Sequence, residues 1–350
     1  MKKISGNIID IINKRIFQGS IYISDEKITG IREESVTENT YILPGLIDAH
    51  IHIESSMLPP SEFARLAVVH GTVATVSDPH EIANVLGMDG IRFMIENGKQ
   101  VPLKFFFGAS SCVPATGFET SGASLGVNEI EELLMDNDIK YMSEMMNFPG
   151  VLFKDDMVMS KLELARKYNK PVDGHAPGLK GEDAKNYIEA GISTDHECFE
   201  LDEALEKVRY GMKIQIREGS AAKNFEALIP LMGTHPDMIM FCSDDRHPND
   251  LIKEHINGHV RKAIQKGYDL FDILRTATLN PIRHYNLDVG LLRGGDDADF
   301  IIVNNLEDFE VMATYIKGKQ VSDKKTSLIK RTGLEPANIF KANPITEKDI

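Results

Sequence analysis

The chain has 350 residues, 42% of them hydrophobic and 26% charged, which is material for one large core or for a barrel with a smaller companion unit. Its formal net charge is −14, from 39 Lys+Arg against 53 Asp+Glu, and this acid excess argues against nucleic acid as a partner, because neutralising phosphate takes Lys and Arg. No apolar run reaches the length of a membrane span, and the opening MKKISGNIIDI is read as carrying no secretory signal, so no membrane partner is expected.

Residues 1–44 alternate in short β-like pieces, NIIDI, RIFQGSIYI, a DEK turn and ITGI. From 45 to 285 the pattern changes. Apolar strand candidates recur in the order LIDAHIHI, TVATVSD, LKFFFGASS, IKYMSEMMN, PVDGHA, ISTDHE, KIQIRE and MIMFCSD, with helical patterns such as IEELLMD, MSKLELARKY, GEDAKNYIEA and DEALEKVRY between them. Eight strand–helix alternations predict an α/β chain with a (β/α)8 TIM-like barrel. A doubly wound open sheet would normally offer a glycine-rich phosphate turn, and neither GxGxxG nor GxxxxGK[ST] occurs. The far end returns to β character in DADFIIVN and ATYIKGKQV, so a small β-sandwich domain is expected from 1–44 together with 286–330. Cys112, Cys198 and Cys242 are odd in number and lack a CxxC pair, which reads as reduced thiols in a cytoplasmic protein.

Polar residues gather at the carboxyl ends of the predicted strands, where a barrel places its active site. Asp48, His50, His52 and Glu54 lie two apart and are expected to share one face of the first strand. Glu144 closes the fourth strand, His175 the fifth, His196 the sixth, and Asp244 with Asp245 the eighth. Imidazole and carboxylate together suit Zn²⁺, Mn²⁺ or Fe²⁺, and six ligands exceed what one tetrahedral ion needs, so two ions sharing a bridging carboxylate are expected. His70, His235, His255, His259 and His284 fall in helical or loop stretches and are assigned to packing, while His80 and His247 lie just beyond strands. Other zinc signatures fail: no second His completes HExxH after His80 or His196, no PCxxC follows His52-Ile53-Glu54, and no GxSxG elbow occurs.

The stretch PGLIDAHIHIESS, with His175, His196 and Asp244, resembles the amidohydrolase superfamily. Within it, HIESSML, TVSDPHEIANVLG, FFFGASSCVPATGFE, SEMMNFPGV, DGHAPGLKG, STDHE and CSDDRHP look like the bacterial and archaeal adenine deaminases, in order and across nearly the whole chain. The resemblance implies hydrolysis of adenine to hypoxanthine and ammonia by a metal-activated hydroxide, with a binuclear Mn²⁺ or Fe²⁺ centre (Zn²⁺ as the alternative), and a place in purine salvage and adenine catabolism. It assigns His50, His52 and Asp244 to one metal, His175 and His196 to the other, and Glu144 to the bridge; Lys140 lies on the same strand face but about 13 Å below. Asp244 is the expected proton acceptor. Glu54, Glu81 and Glu197 are candidates for a second proton transfer, of which Glu81 is taken forward, and Glu197 is equally suited to orienting a ligand. Ser111 (beside Ser110 and Cys112), Asn147 (after Met145 and Met146) and Arg217 are the candidate purine contacts, although Met packing and a carboxylate partner for Arg217 are open alternatives. The expected partner is a small purine base, and a homo-oligomer is expected. Members of this family commonly continue into a further carboxyl-terminal domain, and 331–350 is read as the start of one cut short. Two rival functions stand beside this one: a different base deaminase or cyclic amidase, and a non-catalytic barrel scaffold, which would be expected to have lost ligands that all six positions here retain.

Overall fold

In the computed structural model the described residues are 1–337 and 343–349. The middle of the chain forms β5 (Leu46–His52), β6 (Thr72–Ser77), β7 (Lys104–Ala109), β8 (Ile139–Met145), β9 (Val172–Gly174), β10 (Thr194–Asp195), β11 (Lys213–Arg217) and β12 (Ile239–Cys242). These are the eight strands that the apolar runs predict. Nearly every residue in them is buried, as a parallel sheet covered on both faces requires. Strands β5 to β9 pair in order, all parallel, and so do β10 to β12. A parallel bridge between Val172 and Ile192 joins the two runs. The ring closes where β13 (Asp244–Asp245), the short continuation of β12, pairs with Ile51 and His52. Helices Val127–Met135, Asp156–Lys167, Gly181–Glu189 and Leu201–Arg209 cover the ring where the helical patterns lie. Asp155 fixes the start of one of them by accepting from the Met157 and Val158 amides at 3.0 and 3.1 Å.

Both flanks meet in one eight-stranded sheet. From the amino side come β1 (Lys2–Asp10), β2 (Arg15–Ser24), β3 (Lys27–Glu33) and β4 (Tyr41–Pro44); from the other side come β14 (Phe300–Val303), β15 (Val311–Ile316), β16 (Lys319–Asp323) and β17 (Thr326–Ser327). Strand β4 holds the halves together, parallel to β1 and antiparallel to β14. The sheet curls into a sandwich-like form: Ile8, Ile21 and Ile28 pack with Phe300, Ala313 and Tyr315 in one core, and the Lys2 Nζ sits 4.2 Å over the Tyr315 ring. Neighbours along each strand face the other way. Ile9, Leu43 and Ile301 enter a second core shared with barrel residues such as Ile214 and Phe241. Polar ties complete the junction, with Lys104 Nζ 2.6 Å from both Asp297 and Asp299 and Thr314 donating to the Val68 carbonyl at 2.6 Å. Of the stretch 331–350, residues 338–342 and 350 lie outside the described residues. Among the described residues no helix is long and apolar enough to cross a membrane.

Candidate metal centre

The strand ends deliver their polar side chains to one point at the barrel mouth. His50 and His52 both reach it from β5, with their Nε2 atoms 3.2 Å apart. Asp244 comes from β13 at a positive φ of 53°, a left-handed backbone that Asp tolerates better than most residues and that is frequent at functional sites. Its Oδ1 lies 3.4 Å from His52 Nε2 and 3.9 Å from His50 Nε2. Glu144, at the end of β8, has one oxygen for each side: Oε1 is 3.6 Å from His52 Nε2, while Oε2 is 2.9 Å from His175 Nδ1 and 3.1 Å from His196 Nε2. The His50 ring stacks on His196 at 4.1 Å. All six residues expected as ligands are thus brought together, five of them buried and His175 part-exposed at the rim.

Electrostatics show what this cluster suits. Burial alone would push the Glu144 carboxyl up, but His175, His196 and His52 overcome it and hold the group well below the usual range. The same contest ends the same way at Asp244, where burial is opposed by His52, His196 and His50. Burial would lower His196, and Glu144 beside it raises the ring to about 9. His50 Nδ1 and His196 Nδ1 are buried without a hydrogen-bond partner. Converging imidazole nitrogens and ionised carboxylate oxygens, with buried polar atoms left unpaired, are a donor set that fits a divalent cation.

The surrounding residues are less evenly foreseen. Asp48 leaves the row it was expected to share with His50 and His52. A register shift in β5 between Asp48 and Ile51 breaks the alternation, and the Asp48 carboxylate instead accepts from the Ser243 amide at 2.9 Å and meets His255 Nε2 at 2.7 Å. Glu54 turns away as well, since β5 gives way to a 3-10 turn at Ile53–Ser56; its Oε1 accepts from the Ile82 amide, and burial pushes the carboxyl up to about 7. Two residues after β6 were not put forward as ligands, yet Asp78 and His80 stand with His52 and Glu144 in one group, with His80 Nδ1 3.2 Å from Asp78 Oδ2 and 3.4 Å from Glu144 Oε1. Their signal was the one used elsewhere, polar residues closing an apolar strand in TVSDPH. Glu81, next in sequence, is half-buried near Ser55 at 3.4 Å.

Behind this cluster, the Asp173 carboxylate is 3.8 Å from His50 Nδ1 and is held by the Tyr285 hydroxyl at 2.8 and 2.9 Å and by Thr194 at 2.9 Å. Arg217 meets carboxylates: it grips Glu197 with both nitrogens, at 2.5 and 2.9 Å, and donates to Asp244 Oδ2 at 2.5 Å. Ser111 donates to the Glu144 carbonyl at 2.7 Å, and Asn147 caps helix Phe148–Leu152 by accepting from the Gly150 amide at 2.9 Å. Both line a cleft of about 440 Å³ beside Glu144, with Cys112 and Met145. Lys140 lies at the opposite end of the barrel.

Comparison with known proteins places this geometry. The Amidohydrolase family profile matches residues 41–321. Adenine deaminase from Sulfurovum sp. (strain NBC37-1) is 58% identical over 99% of this chain, and adenine deaminase from Methanosarcina mazei is 54% identical over 100% of it. The chain spans 65% and 63% of the lengths of those two relatives. Among solved structures, the β-aspartyl dipeptidase of Fervidobacterium islandicum AW-1 superposes with a TM-score of 0.67 at 15% identity, covering 96% of this chain and 100% of that one. The N-acetylglucosamine-6-phosphate deacetylase of Thermotoga maritima gives 0.66 at 14%, covering 92% and 100%. A barrel whose strand ends converge on imidazoles and carboxylates, and a family profile that runs through most of its length, make the chain a member of the amidohydrolase family.

Proposed function

We propose that this chain carries the catalytic barrel of an adenine deaminase, converting adenine and water to hypoxanthine and ammonia. The observation that carries this reading is sequence identity of 50–58%, over at least 99% of the chain, to five relatives, each named adenine deaminase. Two ions are the count that suits Glu144, which faces His52 with one oxygen and the His175–His196 pair with the other. Mn²⁺ or Fe²⁺ is the proposed pair, with Zn²⁺ as the alternative, and His50, His52, Glu144, His175, His196 and Asp244 are the proposed ligands. Such ions, when bound, lower the pKa of water and polarise the substrate.

The residues then divide the proton work. Arg217 occupies Asp244 Oδ2, leaving Oδ1 to accept a proton from the attacking water as its oxygen bonds to C6. Glu81 is the proposed carrier of the second proton, to the ring or the departing amine, because its rivals are committed: Arg217 grips Glu197, and Glu54 is buried against the Ile82 amide. Ser111 and Asn147 line the cleft proposed for the purine. Residues 1–44 with 286–330 are the proposed sheet domain, and 45–285 the barrel. A reducing, cytoplasmic setting is supported by three buried, unpaired cysteines.

The test is conversion of adenine to hypoxanthine, with ammonia measured, by the manganese-loaded protein, with guanine, cytosine and a dihydropyrimidine as competing substrates. His50→Ala and Asp244→Ala should each lower kcat/KM by at least about 100-fold. Activity surviving both changes would sink the proposed site, and hydrolysis of the dihydropyrimidine without adenine turnover would overturn the substrate. Near-absence of bound metal would favour a scaffold.

A further inference from the structure

At the foot of the barrel, opposite the metal centre, lies a cavity of about 640 Å³. It opens where β8 and β9 begin and where helix Leu279–Tyr285 ends, and Lys140, Arg166 and Lys170 line it. The chain carries 53 acidic against 39 basic side chains, yet no Asp or Glu lines this cavity. Four other clefts each hold at least one carboxylate: Asp308 and Glu310, Asp138, Glu62, and Asp155. Among the described residues, none of the three cations has an acidic partner within 4.0 Å, although ion pairs are plentiful elsewhere on the surface.

A simpler reading is that these side chains only satisfy the carbonyls at nearby helix and strand ends. That accounts for Lys170, whose Nζ donates to the Asp136 and Ile139 carbonyls at 2.8 and 2.6 Å. It accounts poorly for Arg166, with a single 3.5 Å contact to the Ala190 carbonyl, and not at all for Lys140, whose Nζ has no hydrogen-bond partner among the described residues. Two cations with free donors and a third alongside, in a cavity rich in amides (Asn137, Asn169 and Asn286), form a receptor for a multiply charged oxyanion. The volume is that of a small-metabolite site.

We propose that this cavity is a second ligand site, distinct from the metal centre, that binds a phosphate group, either free as pyrophosphate or carried on a nucleotide, through Lys140 and Arg166. The test is calorimetric titration of the metal-loaded full chain with pyrophosphate and, separately, with adenosine monophosphate. At least one should bind; binding of one alone identifies the source, and binding of both shows that the phosphate group itself is recognised. Lys140→Gln combined with Arg166→Gln should weaken binding at least tenfold, Lys140→Arg should retain it, and added salt should weaken it in the native chain. Failure of both probes to bind overturns the proposal. So does binding undiminished in the double variant, which would place the anion on the metals. Lys140→Gln alone, which removes no hydrogen bond or ion pair among the described residues, carries the test if the double variant does not fold.

Discussion

At the scale of single residues, the proposed ligands depend on groups that touch no substrate. Tyr285 pins both oxygens of Asp173, and Asp173 faces the far nitrogen of His50. Tyr285→Phe removes that donor and leaves Thr194 as the remaining hydroxyl on the carboxylate. We expect it to weaken metal affinity by up to about 10-fold, less than the roughly 10- to 100-fold usual for losing a partner that bonds the ligand directly. Titration of the metal-free protein with Mn²⁺ checks this, and unchanged affinity would show that His50 is oriented by its stacking on His196 instead. Residue-level legibility was uneven for a definable reason. His50, His52, Glu144, His175, His196 and Asp244 could be read because each closes an apolar run, and strand ends converge in a barrel. Asp48 could not be placed, because a two-residue alternation holds only while the register does, and β5 shifts its register immediately after it. Arg217 showed its position but not its partner. That partner is Glu197, 20 residues earlier on a different strand end.

At the scale of elements, the barrel strands were legible because a parallel sheet buried on both faces demands uninterrupted apolar runs, and the helices because their apolar residues recur at helical spacing. What sequence could not supply is how tightly one element meets the next. Gly45 separates β4 from β5, and a Cβ there would stand 2.2 Å from Val73 Cγ1 on β6. Neither strand can retreat, since β4 is fixed to β1 and β14 while β5 is fixed to β6. Gly45→Ala is therefore expected to destabilise by about 1–3 kcal/mol, the range for inserting a methyl group into a packed interior. A denaturant melt measures it, and a loss below about 0.5 kcal/mol would mean that Val73 can rotate clear.

For the whole molecule, three histidines away from the ligand cluster set an acid limit. Burial pulls His70 and His284 down to about 4 and His259 to about 3. Folded, these rings stay neutral; unfolded, each titrates near 6.5. As the pH falls below about 6.5 the unfolded chain takes up protons that the folded chain cannot, so stability declines until the folded values near 4 and 3 are reached. By pH 5 each ring contributes on the order of 2 kcal/mol to that decline. The urea midpoint should accordingly be lower at pH 5 than at pH 7.5, and His70→Gln should narrow the gap. An unchanged gap in that variant would show that metal release, rather than His70, governs the acid limb.

The sheet shared by both ends of the chain also sets a schedule for synthesis. Strand β4 receives its antiparallel neighbour only when Phe300–Val303 has been made, roughly 260 residues after Tyr41. At the usual speed of a ribosome that is an interval on the order of 10–50 s. Throughout it, β1 to β4 present Ile8, Ile21, Ile28 and Ile42 without the Phe300 and Tyr315 that later cover them, and β4 keeps an unpaired edge. The first unit begun is thus among the last completed, and a ribosome paused within the barrel would hold an apolar half-sheet open to other nascent chains.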